Sequence, residues 1–296
     1  MLDLLESHDC VKIIKNDTYI IYYSCVYKFP LVVVEFFPKN LPRTKIDRKE
    51  IGECFGPDNR LDNNCMLTFQ EYADYIMYGG SFGHNAVSTL HKSSENEYRS
   101  TFNFSNISPH EITFSSGILN ILKFWITGLI YNSQYKNIIV ITGNIPNNSK
   151  KKFNTSFVNI PTFVYKIVLL TVGNTKYIGA FLIPNMHMEE VDPISSYCTT
   201  VKHIQEKVGV DLKKLIESYY GPWTKIKDLR EVDSISPGVN KEIKRMVDTS
   251  NIYSKLIYAK DIDDLEKEWE KLVEHHRDNR NFKIYYDMAK LKLKFK

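Results

Sequence analysis

Strand-like hydrophobic patterns dominate the first half of this chain. Residues 11 to 37 are rich in β-branched and aromatic types that alternate, which predicts two buried strands joined near Tyr27 and Lys28. Residues 38 to 72 are rich in Pro, Asn, Asp and Lys and predict a long loop with little regular structure. A second polar stretch, residues 143 to 159, predicts another loop. The pattern therefore indicates a sheet interrupted by long connections.

Helical periodicity begins in the middle of the chain. Apolar residues recur at helical spacing from Ser115 to Tyr131, and Ser115 or Ser116 is available as the N-cap. Residues 194 to 220 predict two further helices, interrupted at Gly209. Helices therefore follow the predicted strands.

The C-terminal part has a different composition, with more Lys, Glu and Asp and a helical pattern. One helical face is formed by Ile262, Leu265, Trp269, Leu272 and His276. Residues 290 to 296 alternate Lys with Leu or Phe, which predicts a strand with one apolar and one cationic face. Such a strand pairs either with its own sheet or with that of a neighbouring subunit. We therefore expect two units, residues 1–218 and a charged helical extension, residues 219–296, that binds a second copy or another protein.

Composition and charge exclude several classes of protein. A chain of 296 residues with 43% hydrophobic residues buries a full core, and a net charge of +4 is too small for a dedicated nucleic-acid packaging protein. The N-terminus lacks the apolar core of a secretory signal. The run from Ile160 to Val172 is broken by Pro161 and Lys166 and is too short to span a bilayer. We expect no membrane partner.

Cysteine usage indicates the compartment. The five cysteines are odd in number and lack CxxC spacing, which predicts reduced thiols in an intracellular, cytoplasmic protein. The abundance of Asn, Lys, Ile and Tyr is typical of an AT-rich genome and favours a viral or parasite origin, with a virion-associated protein as one alternative.

Two short segments contain the residues that are candidates for catalysis. Residues 78 to 84 read Tyr-Gly-Gly-Ser-Phe-Gly-His, and residues 104 to 109 read Phe-Ser-Asn-Ile-Ser-Pro. Together they resemble the active-site signature of the DNA/RNA non-specific endonucleases, the ββα-metal nucleases. The resemblance implies that His84 is the general base that activates water, since a neutral imidazole accepts a proton near pH 7.

Further segments match the same family in the same order, from Tyr19 to Leu215. They include residues 138–143, which end in Thr-Gly, residues 160–169 with Pro-Thr, and residues 179–185, which end in Pro-Asn. The series implies an α+β fold. Its mixed or antiparallel central sheet would carry a ββα-metal motif flanked by helices, with the helical C-terminal extension outside the resemblance.

Several working positions of the motif differ from the family pattern. Ser81 and Phe82 stand where the family has Asp and Arg. The metal-ligand Asn falls on Ser115, the Gln on His110 and the helix Glu on Lys123. A phenyl ring offers neither the charge nor the donors of a guanidinium, so the resemblance implies an impaired site.

Metal binding is the weakest part of the expected site. A Ser115 hydroxyl is a poorer ligand for Mg²⁺ than an amide oxygen, so a neighbour such as Asn120 or Glu111 would have to complete the shell. Asn120 lies five residues further on, about 140° round a helix, and the charge of Lys123 repels a divalent cation. Asn106 has a structural role in this interpretation, ordering the loop under the site through hydrogen bonds to the backbone.

Basic residues outside the motif are candidates for nucleic-acid binding. Arg48 or Arg60 occupies the region of the family's phosphate-binding Arg, with a solvated surface charge as the alternative. Lys150, Lys151 and Lys152 form a basic loop that either contacts phosphates or is simply solvated.

Three hypotheses of function follow. In the first, a nuclease-fold protein has lost or nearly lost hydrolysis, a pseudoenzyme that binds DNA, RNA or a protein partner. In the second, an active endonuclease uses His84 and Mg²⁺. In the third, the fold is a scaffold in a structural assembly, for instance a viral one. Fold resemblance alone does not choose among them.

Overall fold

The computed structural model describes residues 10–39, 46, 55–77, 79–147, 151–153, 156–223, 226–235, 241–276 and 280–294. Arg48 and Lys150 therefore lie outside the described residues, as do the last two residues of the predicted tail strand, Phe295 and Lys296. The fold has one large sheet, a two-stranded sheet that carries His84, and a group of C-terminal helices.

The large sheet is antiparallel apart from one short edge pairing. Its order is β1-β2-β3-β6-β9-β10-β11, and β12 pairs with β10 in parallel. The strands are β1 Val11–Lys15, β2 Tyr19–Ser24, β3 Phe29–Phe37, β6 Tyr135–Ile145, β9 Phe163–Val172, β10 Thr175–Pro184, β11 Cys198–Thr199 and β12 Ile226–Asp228. The prediction of two strands in residues 11 to 37 is wrong, because a tight turn near Asp17 divides the first of them into β1 and β2.

The second sheet pairs β4 Gly80–His84 with β5 Ile107–Glu111. Helix α1 Phe69–Met77 precedes β4, and α2 Glu95–Ser100 lies between the two strands. After β5 the predicted helix is divided into α3 Ile112–Ser116 and α4 Ile118–Tyr131. The expected N-cap is also wrong, since the Glu111 carboxylate caps α3 by accepting from the Phe114 N–H at 2.8 Å.

Helices cover both faces of the large sheet. Along β6, Val140 packs with α4 on one face and Ile141 packs on the other, with α5 Val201–Val208 and α6 Leu212–Tyr220. This two-sided burial explains why the strands read as continuous apolar runs. Residues 112 to 131 are long and apolar enough to cross a membrane, but 61% of the most apolar stretch is buried inside the protein, which is typical of a core helix.

The polar stretch from residue 143 to 159 contains more structure than predicted. Strand β6 continues to Ile145, and β7 Lys151–Phe153 pairs with β8 Ser156–Val158. Asn144 and Asn159 are buried and hydrogen-bonded to backbone carbonyls, which explains how polar residues serve as structure here.

The C-terminal extension contains a three-helix unit formed by α7 Lys241–Ile257, α8 Ile262–His276 and α9 Arg280–Lys294, whereas β12, also beyond residue 218, belongs to the large sheet. The strand predicted for residues 290 to 296 is wrong, because residues 290–294 continue α9. Phe282, Tyr286 and Ala289 recur at helical spacing and are buried against the other two helices. Pairing of a tail strand with a sheet edge is therefore excluded for residues 290–294.

The cysteines also differ from expectation. Cys25, just after β2, and Cys65 form a disulfide that closes a loop with a sequence separation of 40. The prediction of reduced thiols is wrong for this pair, because the fold brings together two cysteines whose spacing gave no sign of pairing. Cys10 and Cys198 are free.

Candidate active site on the β4–β5 pair

The pleat of the β4–β5 pair sorts its residues onto two faces. Ser81 is paired with His110 and Gly83 with Ser108, and these four residues share the inner face. Phe82 and His84 alternate with them and share the opposite, outer face. Two histidines of the motif region, His84 and His110, therefore point in opposite directions.

The outer face surrounds His84 with aromatic rings. Phe55 lies 5.3 Å from the His84 ring and Phe102 lies 5.2 Å from it, edge to face, between centroids. Phe55 is also stacked on Phe82 at 4.4 Å. The backbone beside Phe55 is fixed, since Gly56 exchanges hydrogen bonds with Phe102 and Phe104. Phenyl groups thus occupy the surroundings of the candidate base, where the family pattern places an Arg.

The inner face is fully buried and polar. His110 is 1% exposed, and its Nε2 lies 3.0 Å from the Ser108 hydroxyl. Burial, followed by the nearby charge of Lys123, holds the pKa of His110 well below its ordinary value, so the imidazole is neutral. Its ring lies against Gly83, where an added Cβ would meet the imidazole at 2.1 Å. This contact explains the glycine that precedes His84.

Buried asparagines join the two strands to the rest of the fold. The Asn106 side chain accepts from the Ala86 N–H at 2.8 Å and donates to the carbonyls of Ala86 and Thr101. The expected ordering of this loop by Asn106 agrees with these bonds. Asn144 of β6 donates to the side chain of Asn85 at 2.8 Å, which ties the residue after His84 to the large sheet.

A buried triad of charged side chains supports the loop that follows β4. Glu35 of β3 accepts from His91 at 2.9 Å and from the Val87 N–H at 3.0 Å. On its other side His91 lies 3.6 Å from Glu97. The triad was not predicted from the sequence. A carboxylate at the end of the buried run Val32-Val33-Val34-Glu35 was a signal that could have indicated it.

The pKa shifts of the triad favour its charged forms. Burial alone would raise the pKa of Glu35, but the hydrogen bond to His91 and the charge of Lys166 outweigh burial and lower it. For His91, burial lowers the pKa, but the hydrogen bond to Glu35 and the nearby carboxylate of Glu97 outweigh burial and raise the pKa above its ordinary value. Charge pairing therefore offsets the cost of burying these groups.

The donor set near His84 does not fit a divalent cation. Among the described residues no group of three or more His, Cys, Asp and Glu side chains is arranged to hold a metal. Glu111 is already used, since Tyr258 donates to its Oε1 at 2.8 Å and Phe114 and Thr113 donate to its Oε2. Ser115 and Asn120 are half-buried on separate helices, α3 and α4. A hydroxyl and an amide are neutral ligands without a carboxylate to accompany them.

Two lysines add positive charge to the interior beneath the site. Lys166 of β9 is buried and donates to the Thr142 hydroxyl. Lys123 of α4 is half-buried, and burial, followed by the charge of Lys166, lowers its pKa to about 7. The position of the family's helix Glu is thus taken by a partly neutralised amine, which does not attract Mg²⁺.

The other predicted binding residues are placed in different surroundings. Arg60 donates to Asp58 at 2.8 and 2.7 Å and also to the backbone of Lys15, so much of its guanidinium is engaged within the protein. Lys151 and Lys152 lie on β7. Their contact with phosphate stays a prediction, as does that of Arg60.

Comparison with known proteins agrees with the fold. The chain is 23% identical over 205 residues to "Nuclease EXOG, mitochondrial" of Danio rerio, which covers 65% of this chain. It is 26% identical over 149 residues to "Nuclease C1" of Cunninghamella echinulata var. echinulata, which covers 47% of this chain. In each case it spans 58% of the relative's length.

A solved structure is also similar. EndoG, in a crystal structure of the EndoG/EndoGI complex, superposes with a TM-score of 0.60 at 19% identity, over 71% of this chain and 89% of that one. The expected fold class is confirmed. The family model for DNA/RNA non-specific endonuclease matches residues 5–217, which include strands β1 to β11 and helix α5, while β12 lies beyond the match. The chain therefore belongs to the DNA/RNA non-specific endonuclease family.

Proposed function

We propose that this protein binds nucleic acid through a nuclease fold and has lost, or nearly lost, phosphodiester hydrolysis. The observation that carries the proposal is the packing of the His84 imidazole against Phe55 and Phe102, with Phe82 beside Phe55. Hydrolysis requires a base, a cation on the developing negative charge and a group that holds the phosphate. Only the base has a clear counterpart among the described residues of this face.

The magnitude of the loss follows from the missing stabilisation. Removing one preorganised electrostatic donor from an active site costs about 10²- to 10³-fold in rate. Here the Asp, Arg, Asn and Glu positions are Ser81, Phe82, Ser115 and Lys123. Joint loss of these groups reduces turnover to a negligible rate, while the fold keeps its surface for nucleic acid.

Active hydrolysis is the second candidate. It is favoured by the names of the relatives, which are nucleases, and by the resemblance of the Gly83-His84 pair to the family motif, which implies His84 as the general base. In this alternative Mg²⁺ binds near Ser115 with Asn120 and water. Unlike the first candidate, it predicts that cleavage requires the metal.

Plasmid degradation distinguishes the two candidates. The full chain is incubated with supercoiled DNA in Mg²⁺ or Mn²⁺, with His84→Ala as the matched control, and binding is followed separately by anisotropy of a labelled strand. We expect binding without cleavage above that of His84→Ala. Robust cleavage that EDTA and His84→Ala both abolish would establish the second candidate instead.

A further inference from the structure

Aromatic rings form a continuous array from His84 to the surface of α1. Phe55 stacks on Phe82 at 4.4 Å, and Phe82 is parallel to Phe104 at 6.3 Å. Phe69 meets Phe104 edge to face at 4.8 Å. The centroid distances lie within or close to the range of direct ring contact, so these side chains form one aromatic cluster that is joined through Phe104.

The array has a buried floor and an exposed top. Phe102, Phe104 and Tyr72 are at most 2% exposed and pack into the core. Phe55 and Phe82 are half-buried, and Phe69 is 57% exposed. A phenylalanine that is so largely exposed is not needed for core packing, and the accessible parts of these rings offer apolar surface to a flat ligand.

Among the described residues, the rings of Phe55, Phe69 and Phe82 are not used in cation–π contacts. The cation–π contacts of lysines in this described part of the chain involve Tyr98, Tyr220, Phe163, Trp269 and Tyr286. Phosphate binding relies on Lys and Arg, whereas nucleobases stack on aromatic faces. Phenyl rings therefore offer bases a stacking partner that they do not offer to backbone phosphates.

We propose that Phe55, Phe69 and Phe82 form a stacking platform for the unpaired bases of single-stranded nucleic acid, a substrate class that rests on the proposed function. In a duplex each base has both faces covered by its neighbours and gains no new stacking on a protein ring. An unpaired base exposes its faces, and stacking on an aromatic side chain is insensitive to sequence. Each stacked base contributes about 5- to 150-fold in affinity.

Fluorescence anisotropy on the full chain tests this platform. The probes are a fluorescein-labelled oligothymidylate, a strand of equal length in which the bases are replaced by abasic sites, and the corresponding duplex, all at one salt concentration. The variants are Phe55→Leu and Phe69→Leu, which keep apolar volume and remove the ring, and Phe55→Trp, which keeps a ring. Tyr131→Leu is the matched control, an exposed aromatic residue at the end of α4 outside the array.

We expect the normal strand to bind about tenfold or more tightly than the abasic strand or the duplex. Phe55→Leu and Phe69→Leu should each weaken its binding about 5- to 100-fold, while Phe55→Trp and Tyr131→Leu bind like the wild type. Equal affinity for normal and abasic strands, or for single strand and duplex, would overturn the platform and leave nucleic-acid binding intact. Binding to none of the three probes would overturn the proposed function and the platform together.

Discussion

The two faces of the β4–β5 pair differ in what they require of their residues. On the inner face Ser108 and His110 are buried. The Ser108 hydroxyl is hydrogen-bonded to Asn85, Asn144 and His110 Nε2, whereas His110 Nδ1 has no hydrogen-bond partner among the described residues. On the outer face Phe82 and His84 are half-buried among rings that need no hydrogen bonds. The packing of the inner face therefore maintains the backbone of the β4–β5 pair. Residues of the outer face can change from charged to aromatic without disturbing that backbone.

This difference explains how a nuclease motif keeps its shape after losing its working residues. A buried polar group without a partner costs about 1–3 kcal/mol, so each inner residue is constrained by the others. An outer residue loses only contacts that solvent or a ligand replaces. Substitutions on the inner side should therefore affect stability, and those on the outer side should affect binding.

We expect the largest effect on stability from His91→Gln, which removes the central residue of the triad that supports the loop after β4. Without the imidazolium, Glu35 and Glu97 remain buried and lose the positive charge between them, and breaking a buried ion pair costs about 3–5 kcal/mol. We expect the free energy of unfolding in urea to fall by this amount. His203→Gln, at an exposed position of α5, is the control and should change it by less than about 0.5 kcal/mol. An unchanged stability of His91→Gln would show that the triad does not support the frame.

Asn106→Ala should follow in magnitude. It removes the hydrogen bonds of this side chain and leaves the Ala86 N–H and the carbonyls of Ala86 and Thr101 without that partner. We expect a loss of about 2–4 kcal/mol in the free energy of unfolding. Asn120→Ala, half-buried on α4, is the matched control with a change of about 0.5 kcal/mol or less. A similar stability for both variants would contradict the comparison of the two faces.

The pH dependence of stability should show the same triad with a smaller effect, because titration weakens the pair without removing a side chain. The pKa of His91 is raised, so its contribution is complete below about pH 6.5, the ordinary value, and is lost as the pH rises through the folded pKa. The lowered pKa values of Glu35 and Glu97 act in the opposite sense, and their contribution is lost as the pH falls below about 4.5.

Urea denaturation at a series of pH values, from below about pH 4.5 to above about pH 6.5, tests this dependence. The triad should contribute most between about pH 4.5 and 6.5, and the alkaline decrease assigned to it should be absent in His91→Gln. A wild-type decrease that His91→Gln retains in full would assign the pH dependence to other groups.

Phe55→Leu should have the smallest effect on stability. The ring is half-buried, and Leu keeps most of its apolar contact with Phe82, so we expect a loss of about 1 kcal/mol or less in the free energy of unfolding. Thermal unfolding beside the binding assay checks this. A loss as large as that of Asn106→Ala would show that Phe55 is needed for stability, and that the two faces do not differ in this respect.

Local patterns in the sequence determined much of the framework. The Gly83-His84 pair and the segment from Ser105 to Pro109 located the ββα-metal motif through their resemblance to the family signature, and the structure places them on and beside β4 and β5. The apolar spacing from Ile118 to Leu129 located α4, since a helix buries one face at a fixed period.

Long-range contacts were decided only by the tertiary structure. Glu35 and His91 are 56 residues apart, and the apolar run before Glu35 indicates a buried carboxylate without indicating which residue pairs with it. Phe55 lies in a polar stretch that predicts a loop. It nevertheless packs on His84, because the Gly56 N–H donates to the Phe102 carbonyl and holds this part of the backbone beside the site. Pairing of this kind depends on the three-dimensional path of the chain, which a periodic pattern does not contain.

The end of α9 shows that a clear local pattern can also predict the wrong element. Alternating Lys and Leu from Lys290 to Lys294 satisfies the period of a strand, but the residues before them, Phe282, Tyr286 and Ala289, bury a helical face against α7 and α8. Packing of that face outweighs the local alternation, because burial of apolar area contributes more free energy than β-propensity. The sequence determined which residues were available for burial, and only the tertiary structure decided which of them were covered.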